Sequence, residues 1–559
     1  MEIREQDCIR KAITPTNPAL VGVRMARLST VGRTRGQASA PKKIALRAVF
    51  SLIHLIATSG NIWSSSAFAA SSSEAQTDSQ TGKRIRHPVI RRCSLHEEKS
   101  MKTASTSASP TTWGDARHPV SLNPDAHNPA ALEMERQTIR TVTWKLVPLL
   151  FIAWFVNYLD RATIGVMALQ MNQEIGLGPE AFGFAVGIFY VGYVLFEVPS
   201  NMVMHRVGAR RWLSRILVCW GVVLIGTAFV RTPMQLNVAR FLLGVVEAGL
   251  LPAIVYYLGL WFPAKYFGKP VSVVYVACII SLIVGGPFCT FLMVHFNDVV
   301  GFTGWRWTMV LEGAMGVAVG VVARFYLVDR PNEATWLSQA QRLWLSCEMD
   351  KVARDAASQG ASSASEAFKS PIVWLMGLLY FCTGIAFFGI STWLPQVINQ
   401  MAKLPLLTIG FVFSFPFALG AIAMILNARH SDRTLERRWH LTGALAVGAI
   451  GMFASGWTSA SPGIAYALIC VATIGLTASL GVFWAIPSTF LSGSGAASGM
   501  ALINAISSLS GLLGPWLIGI VLGRTSDVTE TLYWMAASLI VAAVLAALLP
   551  YPNGRGQRR

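Results

Sequence analysis

From residue 145 onward, long apolar stretches alternate with short polar ones twelve times. The stretches lie near 146–169, 181–203, 212–231, 236–259, 270–294, 308–327, 371–394, 406–427, 440–459, 463–490, 497–522 and 531–550. A run of about 20 apolar residues is long enough to cross the hydrocarbon core of a bilayer as a helix. Helices are expected because each segment must satisfy its own backbone N–H and C=O groups where water is excluded. The pattern predicts an all-α membrane protein of twelve transmembrane helices. A polar segment at 329–370 interrupts the series after the sixth stretch. It divides the bundle into six-helix halves at 136–328 and 371–559, joined by a cytoplasmic linker.

Residues 1–135 are rich in Ser, Thr, Ala, Arg and Lys without sustained periodicity, the composition of a disordered extension. One apolar stretch inside it, residues 44–63, has a basic flank at Lys42 and Lys43 and an Ala67-x-Ala69 site beyond it. That combination resembles a secretory signal peptide. Its depth in the chain and the interruptions at Arg47 and His54 support a second reading, an upstream region ahead of a start at Met101 or Met134. Within the central linker, residues 336–356 have the pattern of an amphipathic helix lying on the membrane face. Residues 357–367 (ASQGASSASEA) read as a flexible connection.

The halves carry a weak internal repeat. HRVGARRW at 205–212 follows the second stretch, and DRTLERRW at 432–439 follows the eighth. Gly286-Pro287 in the fifth stretch matches Gly514-Pro515 in the eleventh at nearly the same offset. Parallel six-span repeats with a central site between them are a transporter architecture.

Composition narrows the class. The chain is 53% hydrophobic and 13% charged, against roughly a quarter charged in soluble proteins. A net charge of +18 raises the question of nucleic acid. The basic residues, however, gather in alternate loops: Arg206, Arg210 and Arg211 after the second stretch, and Arg429, Arg433, Arg437 and Arg438 after the eighth. Residues 170–180 contain no Lys or Arg. This is the positive-inside pattern. It places the even loops and both ends of the bundle in the cytoplasm, with the chain as a multi-pass protein of the inner (plasma) membrane and no nucleic-acid partner. Of eight cysteines, Cys219, Cys278, Cys289, Cys382 and Cys470 fall within the stretches. None forms a CxxC or has metal-ligand spacing with histidine, so they read as small packing residues and no metal site is expected. No cofactor motif is present.

Against this apolar background a few ionisable residues stand out. Asp160-Arg161 lies inside the first stretch, and Arg240 and Glu247 lie inside the fourth. A charge at the centre of a membrane helix costs ~2.5–3.5 kcal/mol on insertion scales, and such residues usually face a bundle interior and mark ion or substrate paths. Arg240 and Glu247 are two turns apart, on one face and separated by about 10 Å along the axis. Gly244 between them leaves room for an approaching group. Asp160 and Arg161 point about 100° apart and are not each other's natural partners. Either Arg161 or Arg240 suits Asp160 when the site is empty. The residues allow a switchable network, in which an incoming carboxylate competes for a guanidinium and protons neutralise the released acids. They also allow a permanent ion pair locking the first helix to the fourth.

The motifs now resemble those of the major facilitator superfamily and, within it, the anion:cation symporter family, over about residues 134–550. The matching stretches are NYLDRATIG, FEVPSNMVMHRVGARRW, RFLLGVVEAGLLPAIVYYLGLWFP, GWRWTMVLEG, WLPQVI and FWAIPSTFLSGSGAASGMALINAISSLSGLLGP. The last looks most like the branch that carries phthalate, tartrate and sugar acids. The resemblance implies two halves rocking around a cavity lined by spans one, four, seven and ten. It implies a monomer that transports a small organic carboxylate, usually with protons. Asp160 and Glu247 are then the proton-coupling acids. Arg240, Arg161, Tyr158, Tyr190, Trp484 and Asn504 are the candidate substrate contacts. Arg206, Gly208, Arg210 and Arg211, with Asp432 and Arg433 in the repeat, form candidate gating loops, although topology-setting charge alone also accounts for the arginines. The sequence departs from the family pattern at His205, where an acid is usual, and at Phe388 and Thr392, near the expected cavity.

Several of these residues have plainer readings. Tyr158, Tyr190 and Tyr193 also suit aromatic packing. Ser507, Ser508 and Gly511, on one face with Asn504, suit close helix contact. Pro487 interrupts the tenth stretch beside Trp484, freeing backbone groups. Exchange or uniport on the same fold, a carboxylate sensor and an intramembrane enzyme are the alternatives. No HExxH or GxSxG motif lies in the spans to support the enzyme.

Overall fold

The structure, a computed structural model, describes residues 129–358, 369–487 and 493–550. The signal-like stretch and nearly all of the 357–367 connection lie outside the described residues. Among the described residues the regular structure is helical, apart from one isolated bridge between Val299 and Phe302.

The first half contains α1 (Pro129–Ile175), α2 (Pro179–Val207), α3 (Ala209–Thr227), α4 (Pro233–Glu247), α5 (Leu250–Gly259), α6 (Ala264–His295) and α7 (Gly304–Tyr326). The linker contains α8 (Gln339–Ser358). The second half contains α9 (Pro371–Ala402), α10 (Leu406–Thr434), α11 (Arg438–Trp457), α12 (Pro462–Phe483), α13 (Gly493–Thr525) and α14 (Val528–Leu548). Each of the twelve apolar stretches has its helix, and α4 and α5 together make the fourth. Ten of these crossings are long and apolar enough to span a bilayer. The other two are α3 and α11, with 19 and 20 residues. Because α1 begins at Pro129, residues 129–135 belong to the first helix rather than to the irregular extension.

The break in the fourth crossing has a local cause. Pro252 lacks the N–H that would bond to the carbonyl of Ala248 one turn earlier. The Ser200 hydroxyl on α2 donates to that carbonyl instead, at 2.5 Å. Gly249 then turns the chain at φ +89°. A Cβ there would lie 2.5 Å from Ser200 Oγ, so both the angle and the contact require glycine. The linker helix α8 starts at a reciprocal cap: the Gln341 N–H donates to Ser338 Oγ at 3.3 Å, and the Ser338 N–H donates to Gln341 Oε1 at 3.1 Å. Trp336, ahead of that cap, stacks on Trp261 at 5.5 Å.

Within the first half, α3 packs on α7, α1 on α6, and α2 on α4. In the second, α11 packs on α12 and α14, α10 on α12, and α9 on α13. The halves meet along α2–α13, α6–α10 and α1–α9. Counted as crossings these are 2 with 11, 5 with 8, and 1 with 7, so adding six to every number returns the same set. Glycines bring these helices into backbone contact, as expected where lipid removes the usual hydrophobic drive between helices. A Cβ on Gly183 would sit 2.4 Å from Pro515 O, one on Gly286 2.5 Å from Gly410 O, and one on Gly165 2.3 Å from Thr392 O. Phe182 meets Trp393 edge-on at 5.3 Å, and the Trp393 indole donates to Pro515 O at 3.1 Å. These contacts lie toward the end of the bundle that carries the α1–α2, α9–α10 and α13–α14 loops.

The repeated loops share a positive-φ residue but not a backbone path: Gly208 has ψ 145° and leads straight into α3, whereas Leu435 has ψ 24° and two residues follow it before α11. Gly208 and Leu435 occupy equivalent motif positions, and both have positive φ, +95° and +55°. Arg210 donates to Leu327 O at 3.3 Å and pairs with Asp329 at 3.3 Å, tying the start of α3 to the end of α7. Arg438 donates to Ala547 O, tying the start of α11 to the end of α14.

Candidate functional site

The buried side of α4 is a stripe of Leu236, Arg240, Leu243, Gly244 and Glu247, spaced as one helical face. It faces α2 and α1. Gly244 lets α2 approach so closely that a Cβ would fall 2.0 Å from Phe189 O. The room at Gly244 is therefore taken by a neighbouring backbone and not by a ligand. That contact fixes the height of Arg240 and Glu247 against the first helix.

Two ion pairs result. Arg240 Nη1 donates to Asp160 Oδ2 at 2.9 Å and to Oδ1 at 3.2 Å, with both residues buried. One residue further along α1, Arg161 Nη2 donates to Glu247 Oε1. The neighbours Asp160 and Arg161 thus each take a partner two turns apart on α4. Glu247 therefore has a close cation in Arg161. The pairs are incompletely satisfied: Nε of Arg161, Nε of Arg240 and Oε2 of Glu247 have no partner among the described residues.

The arginines are also held by aromatic faces. The Arg161 guanidinium lies 4.8 Å from the Phe189 ring centre, 5.1 Å from Tyr193, 5.5 Å from Tyr158 and 5.7 Å from Tyr190. Arg240 lies 5.2 Å from the same Phe189 ring. Quadrupole attraction of this kind is worth ~0.5–2 kcal/mol each, more when water is excluded. It positions a cation without consuming its hydrogen-bond donors.

Arg161 and Arg240 form one wall of a narrow, largely enclosed cavity, with Tyr158 and Tyr190 beside them. Phe388, Ser391 and Thr392 of α9 face them from the other half. Tyr190 meets Phe388 edge-on at 5.0 Å. Spans one, four and seven therefore contribute as expected, and α2 and α6 contribute as well, through Val186 and Leu282. Trp484 and Asn504 are not among the lining residues. The Trp484 indole donates to the Tyr380 hydroxyl at 3.3 Å, and Tyr380 stacks on Phe483 at 4.4 Å. The backbone carbonyl of Asn504 accepts from Ser508 at 2.9 Å. Ser507 Oγ faces α9, 3.5 Å from Tyr380 O.

Of the loop residues, Arg210 is anchored as described, with Gly208 supplying the turn. Asp432 pairs with Arg437 at 3.4 Å, while Arg206, Arg211 and Arg433 are exposed.

Two acids escaped the sequence reading. Glu174 joins the end of α1 to the start of α7. It accepts from Arg306 at 2.8 and 2.9 Å, from the Trp305 indole at 2.6 Å and from Thr303 at 2.6 Å. Glu312, in the middle of α7, is fully buried, and its Oε1 has no partner among the described residues. Its place inside an apolar stretch was the available signal, the same one that singled out Glu247. Among the described residues no group of three His, Cys, Asp or Glu side chains is arranged to hold a metal.

Residues 150–515 match the profile of the family described as Major Facilitator Superfamily. A protein of Agrobacterium vitis named "Putative tartrate transporter" is 40% identical over 419 residues, covering 75% of this chain and 95% of that protein. A protein of Acinetobacter baumannii named "Quinolone resistance transporter" is 34% identical over 418 residues, covering 75% of this chain and 96% of that protein. Among solved structures, a bacterial homologue of the human lysosomal transporter Spinster, inward-facing and unoccupied, superposes with a TM-score of 0.60 at 16% identity, over 73% of this chain and 96% of that one. That last likeness is one of fold.

Proposed function

Because the chain belongs to the major facilitator superfamily, and is a membrane transporter rather than an enzyme, we propose that it imports a small organic anion across the plasma membrane by proton symport with alternating access. The substrate class is a tartrate-, phthalate- or sugar-acid-like carboxylate. The observation that carries this reading is the pair of ion pairs Asp160–Arg240 and Arg161–Glu247, with both arginines on the cavity wall. A guanidinium fork binds a carboxylate through two parallel hydrogen bonds. An arriving anion competes with Asp160 or Glu247 for its arginine. The acid that loses its cation is then a buried charge without a partner, and it takes up a proton. Substrate and proton therefore load together.

Tyr158 and Tyr190 offer hydroxyls to a hydroxy acid, and Phe388 and Thr392 close the site from the second half. Contact between the halves at the odd-loop end, with basic residues in the even loops, supports an inward-facing state. The anchored Arg210 and the exposed Arg206, Arg211 and Arg433 are the gating elements that engage when the even-loop end closes. The name of the A. vitis relative supports tartrate as the first compound to try.

The test uses purified protein in liposomes with a trapped pH dye. Tartrate, phthalate, glucarate and galactonate are added outside in turn. Acidification of the lumen by one of them, absent from empty liposomes and lost in Glu247→Gln, supports proton symport. Uptake of the anion without proton movement favours exchange or uniport, and retention of full proton-driven accumulation by Glu247→Gln rules out the carrier role of that residue.

A further inference from the structure

We infer that Glu312 is a third proton-binding residue of the transport cycle, neutral in this conformation and acting together with Asp160. The inference rests on the symport reading above and extends it to a residue outside the two ion pairs.

The argument begins with one hydrogen atom. Thr163 Oγ1 lies 2.9 Å from Leu159 O and 3.3 Å from Glu312 Oε2. A hydroxyl has one hydrogen to donate, and a carbonyl oxygen only accepts. The shorter contact, the common bond of a helical Thr to the carbonyl four residues back, takes that hydrogen. A bond between Thr163 and Glu312 then requires the carboxyl to donate, with Thr163 Oγ1 accepting. Glu312 has a hydrogen to donate only when it is protonated.

The surroundings agree. Glu312 is fully buried, and no Arg, Lys or His forms an ion pair with it among the described residues. From α1 it meets Thr163, and Asp160 stands one helical turn away on the same face. From α6, Cys289 reaches the same turn of α1, its Sγ 4.0 Å from Thr163 O. From α3 the neighbours of this stretch of α7 are Trp220, Gly221 and Ile225. The facing titratable groups are therefore an acid and a thiol. A charged carboxylate in such a site costs far more than a neutral one, so the group holds its proton instead.

A neutral acid held by Thr163, one helical turn from Asp160, has a use in the cycle. When an incoming carboxylate draws Arg240 away, Asp160 becomes an anion without a partner. The O–H bond of Glu312 breaks and an O–H bond forms on Asp160. Glu312 is left as the anion, and a proton from water restores it when the site next opens. The proton balance per turnover then depends on both acids.

The experiment is twofold. Infrared spectra of purified wild type and Glu312→Gln are compared for the C=O stretch of a protonated carboxylic acid. We expect a wild-type band that is absent from the variant and shifted in Thr163→Val, which keeps the shape but removes the hydrogen-bond partner. A spectrum without such a band shows an ionised Glu312 and overturns the inference. The second measurement is uptake in liposomes of whichever of tartrate, phthalate, glucarate and galactonate the wild type carries. Under a gradient of one pH unit each coupled proton is worth about tenfold in accumulation. We expect Glu312→Gln to keep counterflow of that anion and to lose about tenfold in accumulation. Unchanged accumulation identifies Glu312 as a permanently neutral structural acid and overturns the inference. A wild type that carries the anion without protons, or carries none of the four, overturns the symport reading and this inference with it. If Glu312→Gln does not fold, Thr163→Val carries both measurements: an unshifted band together with wild-type accumulation overturns the inference.

Discussion

The two halves of the bundle share a helix plan but not a chemistry. Every buried charged residue among the described residues lies in the first half: Asp160, Arg240, Glu247, Arg306 and Glu312. The buried polar residues of the second half are all hydroxyls, among them Thr383, Ser391, Thr392, Ser414, Thr473, Thr477 and Ser510. Several hydroxyls of this set bond back to a carbonyl of their own helix, as Thr383 does to Leu379 O. A hydroxyl satisfied in this way adds little cost to a helix in lipid, whereas a charge needs a partner from another helix. In the symport we propose, the first half supplies the groups that hold protons and recognise the anion. The second offers a neutral surface that closes on it through backbone contacts at glycine.

This division of labour can be broken by experiment. The largest effect is expected from Arg240→Ala, which leaves Asp160 buried without its cation. Breaking one side of such a pair costs ~3–5 kcal/mol, read as a large fall in melting temperature together with loss of uptake. The double variant Asp160→Asn with Arg240→Gln should regain much of the melting temperature and none of the uptake. Wild-type stability in Arg240→Ala would show that the pair is not the central strut of the first half.

Glu247→Gln comes next. It should keep anion exchange and lose proton-driven accumulation by about tenfold per pH unit and coupled proton. Phe388→Tyr, on the facing wall, sharpens the comparison from the other side. It should change KM among hydroxy acids by several-fold, about 1 kcal/mol of contact energy, with the proton-to-anion ratio unaltered. A changed ratio would place coupling in the second half as well.

The smallest effect is conformational. Gly208 and Leu435 share a motif position and a positive φ, and only the second has a side chain that disfavours it. Leu435→Gly should raise the melting temperature by the equivalent of up to ~1 kcal/mol, whereas Gly208→Ala should lower it. The reverse order would mean that the Leu435 side chain contributes more than its backbone costs.

The relation between chain and structure is uneven in an instructive way. The helices were legible because each apolar stretch must satisfy its own backbone in lipid, a constraint that acts locally. The pairing of Asp160 with Arg240, and of Arg161 with Glu247, was open because both arginines are compatible with either acid until α1 and α4 are set side by side. Gly244 looked like space for a ligand, and it is filled by α2. The stretch 236–259 reads as one continuous crossing; the break after Glu247 at Gly249 and Pro252 emerges only in the structure, where the hydroxyl that satisfies Ala248 comes from Ser200, 48 positions earlier. Trp484 was plausible by position, and its indole bonds to the Tyr380 hydroxyl of α9.

Sequence by itself determined the number of crossings, the repeat and the presence of charges that need partners. Membership of the superfamily was also legible from the chain alone, carried by ordered local motifs. The tertiary structure decided which charge meets which, that Glu312 has no ion-pair partner among the described residues, and at which end the halves touch. The physical reason is range. Hydrophobicity and backbone satisfaction act within a segment and are written in its residues. An ion pair or a glycine contact is a property of two helices, and it is fixed only when their registers are.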